Sequence, residues 1–216
     1  MRTVDRKAPA TTTEDDALSR RSRILAAAAD IFAQQGFDGT SLGTVANAAK
    51  VKKSLVQYHF KSKENLWQES IHWVWEQRDH ALPKYLLKLP SADTADTSQM
   101  VRDLCKQILT FTFDQPQWVK LMFQEASKPG PRLDWMVDTF FKKDFSDGKA
   151  MIEAAQQQGL LPHVNAMDLL HILSGALIYL VNVAPISERV LGEKPNSTKY
   201  IDRHINTLMH LLQNAK

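Results

Sequence analysis

The stretch Ser41-Leu42-Gly43-Thr44-Val45-Ala46-Asn47-Ala48-Ala49-Lys50-Val51-Lys52-Lys53-Ser54-Leu55-Val56-Gln57-Tyr58-His59-Phe60 decides the fold. Leu42, Val45, Ala46 and Ala49 recur at offsets of three and four, one face of a short helix that Thr40 or Ser41 is suited to cap. After Lys50-Val51-Lys52 the pattern resumes with Leu55, Val56 and Phe60, so a second short helix, Lys53 to His59, is expected. Two brief helices about so short a turn make a helix-turn-helix.

The second of these helices sets Lys53, Ser54, Gln57, Tyr58 and His59 beside apolar Leu55, Val56 and Phe60. Glutamine pairs bidentately with adenine, lysine reaches guanine O6/N7 or phosphate, and tyrosine and histidine donate to phosphate or pack on thymine methyls. Residue types do not settle which side chain does which. Gly39 to Lys63 also holds Lys50, Lys52, Lys53, Lys61 and Lys63 and no acid, a patch that suits a phosphate backbone and equally a solvated lysine face. The 216-residue chain is only +3, yet residues 1–66 carry +4 and the remainder −1.

Working outward, residues 1–16 have no apolar periodicity and read as a disordered arm. Leu18, Ile24, Leu25, Ala28, Ile31 and Phe32 give a first helix that stops at Gly36. Lys61 to Glu64 restarts a helix bearing Leu66, Trp67, Ile71, Val74 and Trp75, which runs to Pro83 or Pro90. Residues 91–96 read as a loop, with helices at about 97–114, 116–127, 132–158 and 166–184. A loop from Pro185 to Asn196 then precedes a last helix at about 198–213, making nine helices and no strand. The fold class is all-α. The expected division is an arm over 1–16, a DNA-binding domain over 17–66 and a second domain over 67–216.

The order Gly36-Phe37-Asp38-Gly39-Thr40-Ser41, Val45-Ala46-Asn47-Ala48-Ala49, Val51, Tyr58-His59-Phe60 and Lys63-Glu64-Asn65-Leu66 resembles the N-terminal domain of the TetR family of transcriptional regulators. The resemblance covers about residues 18–78. It implies that Thr40, Ser41 and Thr44 approach phosphates, that Lys53, Ser54, Gln57, Tyr58 and His59 lie in or at the rim of the major groove, and that Lys63 meets a phosphate. Lys50 departs from the glycine usual at the turn, and Lys52 from the usual Ser or Thr; both add charge near DNA. A positive φ at Lys50 would cost roughly 1 kcal/mol relative to glycine. The resemblance further implies a homodimeric, cytoplasmic, ligand-responsive repressor of a near-palindromic operator, with its recognition helices ~34 Å apart.

All five tryptophans, six of nine phenylalanines and six of seven methionines follow residue 66. Trp75, Phe111, Phe113, Trp118, Met122, Phe123, Trp135, Met136 and Phe140 are candidates for an effector pocket between helices 4 and 7, and equally for a plain core. His72, His80, Gln124 and Cys105 would be its polar contacts. The helix over 166–184 is apolar most of the way around. With the final helix it offers a two-fold interface built from Leu173, Leu177, Ile178, Val181, Ile201, Ile205, Leu208 and Leu212.

At 44% hydrophobic and 24% charged residues, collagenous, rod-like and fully disordered readings are excluded. One cysteine, Cys105, rules out an internal disulfide framework and suits a reducing compartment. A polar Met1 to Arg23 is not expected to serve as a secretory signal or anchor. Leu169 to Ile186, interrupted by His171, Ser174, Asn182 and Pro185, reads as a buried or interface helix rather than a membrane span. No G-x-S-x-G, H-E-x-x-H or glycine-rich phosphate loop occurs, so no cofactor and no catalytic residue are expected. Glu69/His72 and Asp168/His171 have the spacing of di-iron bundles but lack the further carboxylates such sites require. A helical metal enzyme and an interaction module that has lost DNA reading remain the alternatives.

Overall fold

The structure is a computed structural model and describes residues 12–82 and 94–214. Within them the chain is all helical, without a strand. It divides into two compact units, Met1–Glu76 and Gln77–Lys216, later than the boundary at residue 66 expected from sequence.

In the first unit, α1 (Thr12–Gly39) begins before Leu18, so residues 12–16 are helix rather than arm; residues 1–11 lie outside the described residues. Its regular part stops at Gly36, whose φ of 72° an L side chain rarely adopts. Ser41 Oγ then accepts from the Thr44 amide at 3.0 Å and starts α2 (Leu42–Ala48). The end of α2 is a Schellman motif: the Val51 amide bonds Ala46 O at 2.9 Å and the Lys50 amide bonds Asn47 O at 3.1 Å. That motif needs a left-handed residue, and here it is Lys50, with φ 55°. α3 (Lys53–Phe60) ends in a second such residue, Lys61 (φ 59°), about which the Ser62 amide reaches back to Phe60 O at 2.6 Å in a tight γ-turn. Ser62 Oγ accepts from the Asn65 amide at 3.0 Å and opens α4 (Lys63–Ala81).

Ile24, Ala28, Phe32, Val45, Ala46, Val56, Phe60, Leu66, Trp67 and Ile71 form the core of this unit. Val56 and Phe60 are fully enclosed, while Leu55 and Val51 are only half-buried. Phe37 is the joint of the unit: its ring stacks on Phe32 at 6.1 Å and meets the edge of Trp67 at 6.3 Å.

The second unit contains α5 (Thr94–Asp114), α6 (Gln117–Ala126), α7 (Pro131–Met136), α8 (Lys142–Gln157), α9 (Ala166–Ser174), α10 (Leu180–Leu191) and α11 (Thr198–Asn214). π-Helical turns at Val137–Phe141 and Gly175–Tyr179 join α7 to α8 and α9 to α10 without a break. Counted as continuous, these give nine helices among the described residues. The expected loop at 91–96 is helical from Thr94; Pro83, Pro90 and residues 91–93 lie outside the described residues.

The expected loop from Pro185 is helical to Leu191. Pro185 removes one amide donor, but Leu180 and Val181 are buried in the core, and the chain turns only at left-handed Gly192 (φ 69°). α5 and α11 pack together around Leu109, Ile201, Ile205 and Met209, with Ile152 and Leu169 in the same cluster. α8 and α9 approach closely at Gly148, where a Cβ would stand 3.0 Å from Leu170. Cys105 is buried in this core, and desolvation pushes its thiol up to about 11.

The left-handed strain at Lys50 is directly testable. A side chain there costs about 1–2 kcal/mol, offset by the ~0.4–1 kcal/mol that glycine loses in unfolded-state entropy. Lys50→Gly is therefore expected to stabilise the protein by roughly 0.5–1 kcal/mol, raising the denaturant midpoint at unchanged m-value.

Candidate nucleic-acid interface

The exposed surface of α3 carries Lys52 at its N-cap, then Lys53, Ser54, Gln57 and Tyr58, the last with 79% of its surface accessible. Burial of Val56 and Phe60 on the opposite side fixes which way these point. His59 is half-buried, its ring set edge-on to Tyr58 at 5.3 Å, so it supports that ring as well as lying at the rim. Ser41 and Thr44 are exposed at the start of α2, their hydroxyls 2.8 Å apart.

Two expected phosphate ligands are used internally. Thr40 is only 3% exposed, and its Oγ1 donates to Gly36 O at 2.7 Å, closing the kink where α1 stops. Lys63 Nζ donates to Thr40 O at 2.8 Å and lies 4.4 Å from the Phe37 ring centroid. Its ammonium thus donates to carbonyls of the α1–α2 connection at a half-buried position while keeping its positive charge. Arg21 clamps the same unit from another side, paired with Glu69 and lying 5.4 Å over the Phe60 ring.

Beside α3 lies a groove of about 450 Å³ that the sequence reading missed in part. Arg20 and Arg23 from α1 face Lys50, Val51 and Lys52 from the turn, with Ser54, Leu55 and Tyr58 from α3. The signal was available: Arg20 and Arg23 are three apart and share a helical face.

In the second unit, the structure distributes the expected pocket residues over different surroundings. Met122 does line an apolar groove of about 480 Å³, together with Ala126, Leu133, Val137, Phe141, Lys142 and Phe145. Trp118 and Met136 are buried core, Phe123 is exposed, and Trp135 packs on Phe140 at 5.6 Å. Phe111 does not line this groove, and Trp75 is buried in the first unit. Leu133, Val137, Phe141 and Phe145 are four apart, a spacing that drifts about 40° per step on an α-helix. The π-turn at Val137–Phe141 takes up an extra residue and draws them back to one side.

The expected dimer contacts divide by their burial within one chain. Leu177, Val181, Ile201, Ile205 and Leu208 are all buried within their own chain, and Leu173, Ile178 and Leu212 pack half-buried against that core. The apolar side chains left exposed on α9, α10 and α11 and the π-turn between α9 and α10 include Ile172, Tyr179, Ile186, Val190, Leu191 and Leu211. All of these but Leu211 lie on Ala166–Leu191, the one helix among the described residues long and apolar enough to cross a membrane, with mean hydropathy 1.9 over an 18-residue stretch. Among the described residues, no three His, Cys, Asp or Glu side chains gather as a metal site.

The geometry at Lys63 changes what its removal does. Lys63→Ala is expected to lower the stability of the first unit, read as a lower midpoint in a thermal melt. The slope of log K against log salt for DNA binding is expected to fall by no more than about 1, because hydrogen bonds to neutral carbonyls position the ammonium and leave its charge in place.

Residues 24–69 match the sequence model of the bacterial regulatory proteins, tetR family. The HTH-type transcriptional regulator AcrR of Shigella flexneri is 30% identical over 110 residues, which is 51% of this chain and 49% of the relative. The chain thus spans about half the length of that relative. The HTH-type transcriptional repressor NicS of Pseudomonas putida is 25% identical over 164 residues, 75% of each chain. The crystal structure of AibR, in complex with isovaleryl coenzyme A and operator DNA, shares the fold with a TM-score of 0.68 at 16% identity, covering 89% of this chain and 97% of the other. With its helix-turn-helix built as described and residues 24–69 matched, the chain carries an N-terminal domain of the kind found in the bacterial regulatory proteins of the tetR family.

Proposed function

We propose that this chain is a cytoplasmic, dimeric transcriptional repressor that reads a near-palindromic operator with α3 and is released by a small, largely apolar effector. The carrying observation is the outward set Lys52, Lys53, Ser54, Gln57 and Tyr58, held on a buried Val56–Phe60 base inside the family's domain. Repression is supported by the name of NicS, and response to a ligand by the acyl-coenzyme A held in the AibR complex.

The groove at Met122, Leu133, Val137, Phe141 and Phe145 favours an apolar effector, with Lys142 at its edge. Such an effector releases DNA only to the extent that it binds the non-DNA-binding conformation more tightly. Ile172, Tyr179, Ile186 and Val190 on the long apolar helix are the favoured two-fold contact, since exposed apolar surface of this kind asks for cover. The reading assigns no catalytic chemistry to the chain.

The test of DNA reading is fluorescence anisotropy with duplexes tiling the DNA flanking the gene, against a scrambled duplex at equal salt. Selectivity of about 10³-fold or more is expected, with Tyr58→Ala weakening the selective complex and leaving the circular dichroism spectrum unchanged. Equal, weak binding to every duplex would favour the interaction module instead.

The dimer is tested by sedimentation. The double variant Ile172→Asp, Ile186→Asp is expected to run as a folded monomer; an intact dimer would move the contact elsewhere.

A further inference from the structure

Among the described residues, the groove between α1 and the turn of the helix-turn-helix is lined by four cations and no carboxylate. Arg20 and Arg23 come from α1, Lys50 and Lys52 from the turn, and the Ser54 and Tyr58 side chains close the α3 side. All four cations are exposed. Such a set attracts a polyanion, and the hydroxyl-bearing side chains add neutral donors of the kind that meet phosphate oxygens.

Lys50 adds an independent observation. It holds the left-handed position of a Schellman motif, where glycine would be relaxed. Backbone strain retained at a cation, beside three other cations, points to a use for the charge.

We propose that this groove is a clamp for the sugar-phosphate backbone of DNA, in which Arg20 and Arg23 grip phosphates next to those met by Lys50 and Lys52. The clamp rests on the DNA-binding reading above and extends it from the helix-turn-helix to α1. It fixes the register and orientation of α3 on the duplex without carrying sequence information, because phosphates are the same at every base pair. Arginine suits the task through its planar, multidentate donors.

The experiment uses the full chain and two probes, a duplex from the tiling set and a scrambled duplex of equal length, titrated from ~50 to ~200 mM salt. The variants are Arg20→Ala/Arg23→Ala, Arg20→Lys/Arg23→Lys, and Lys50→Gly. Alanine at both arginines is expected to lower the magnitude of the log K against log salt slope by about 2 and the affinity roughly 60-fold at ~0.1 M salt, alike on both duplexes. The lysine pair keeps the slope. Lys50→Gly lowers it by about 1 while the melting temperature rises, a combination that a merely structural role for Lys50 does not produce.

An unchanged slope in the double-alanine variant overturns the clamp. So does a loss confined to the tiling duplex, which would make the arginines base readers. If the wild type binds no duplex in preference to the scrambled one, the repressor reading fails, and the slopes on the scrambled duplex still decide the clamp.

Discussion

Helices shorter than about 12–15 residues are marginal in water, and the two that make the helix-turn-helix have seven and eight. The exposed side chains of α3 therefore depend for their placement on burial, above all that of Val56 and Phe60 on the inner side of the helix. Each such side chain contributes on the order of 1.5–3 kcal/mol when removed from water, more than a short helix can supply from its own hydrogen bonds. Phe37 extends the same logic one layer out. It is wedged against Phe32 and Trp67 and capped by the Lys63 ammonium, so the α1–α2 connection is held by packing as much as by backbone.

At both ends α3 is bounded by a lysine in the left-handed region, Lys50 before it and Lys61 after. Sharp reversals at these points keep α3 short and its exposed set compact. The γ-turn at Lys61 and the Ser62 cap place the start of α4 immediately behind the recognition surface. Such conformations persist only when the surroundings over-determine them, which is what the enclosed Phe60 and the paired Arg21–Glu69 provide.

The helix-turn-helix was legible because its signals are local: Gly36 as a stop, Ser41 as a cap, and apolar spacing across the turn. What periodicity and residue type leave open is where a side chain's partner sits. Thr40 and Lys63 have the chemistry of phosphate ligands, and nothing in their type announces that Gly36 O and Thr40 O claim them first. The helix through Leu177 and Val181 is apolar on nearly every side, so periodicity could not separate the stripe facing its own core from the one left outside. Pro185 read as a stop because a proline usually is one, whereas packing of the preceding turn carries the helix onward to Gly192. Trp135, Met136 and Phe140 are the larger side chains here, yet the groove is lined by the plainer series Leu133, Val137, Phe141 and Phe145.

That series depends on the π-turn at Val137–Phe141, and the dependence separates two kinds of genetic change. A substitution at a groove position alters one wall. Loss of any single codon across the π-turn would let the hydrogen-bond ladder close as ordinary α-helix, more regular than before, while swinging Phe145 and the rest of α8 by about 100°. The irregular turn therefore acts as a reading frame for the groove: descendants of this gene can vary its lining freely, yet cannot shorten or lengthen this helix by one residue without discarding the groove itself.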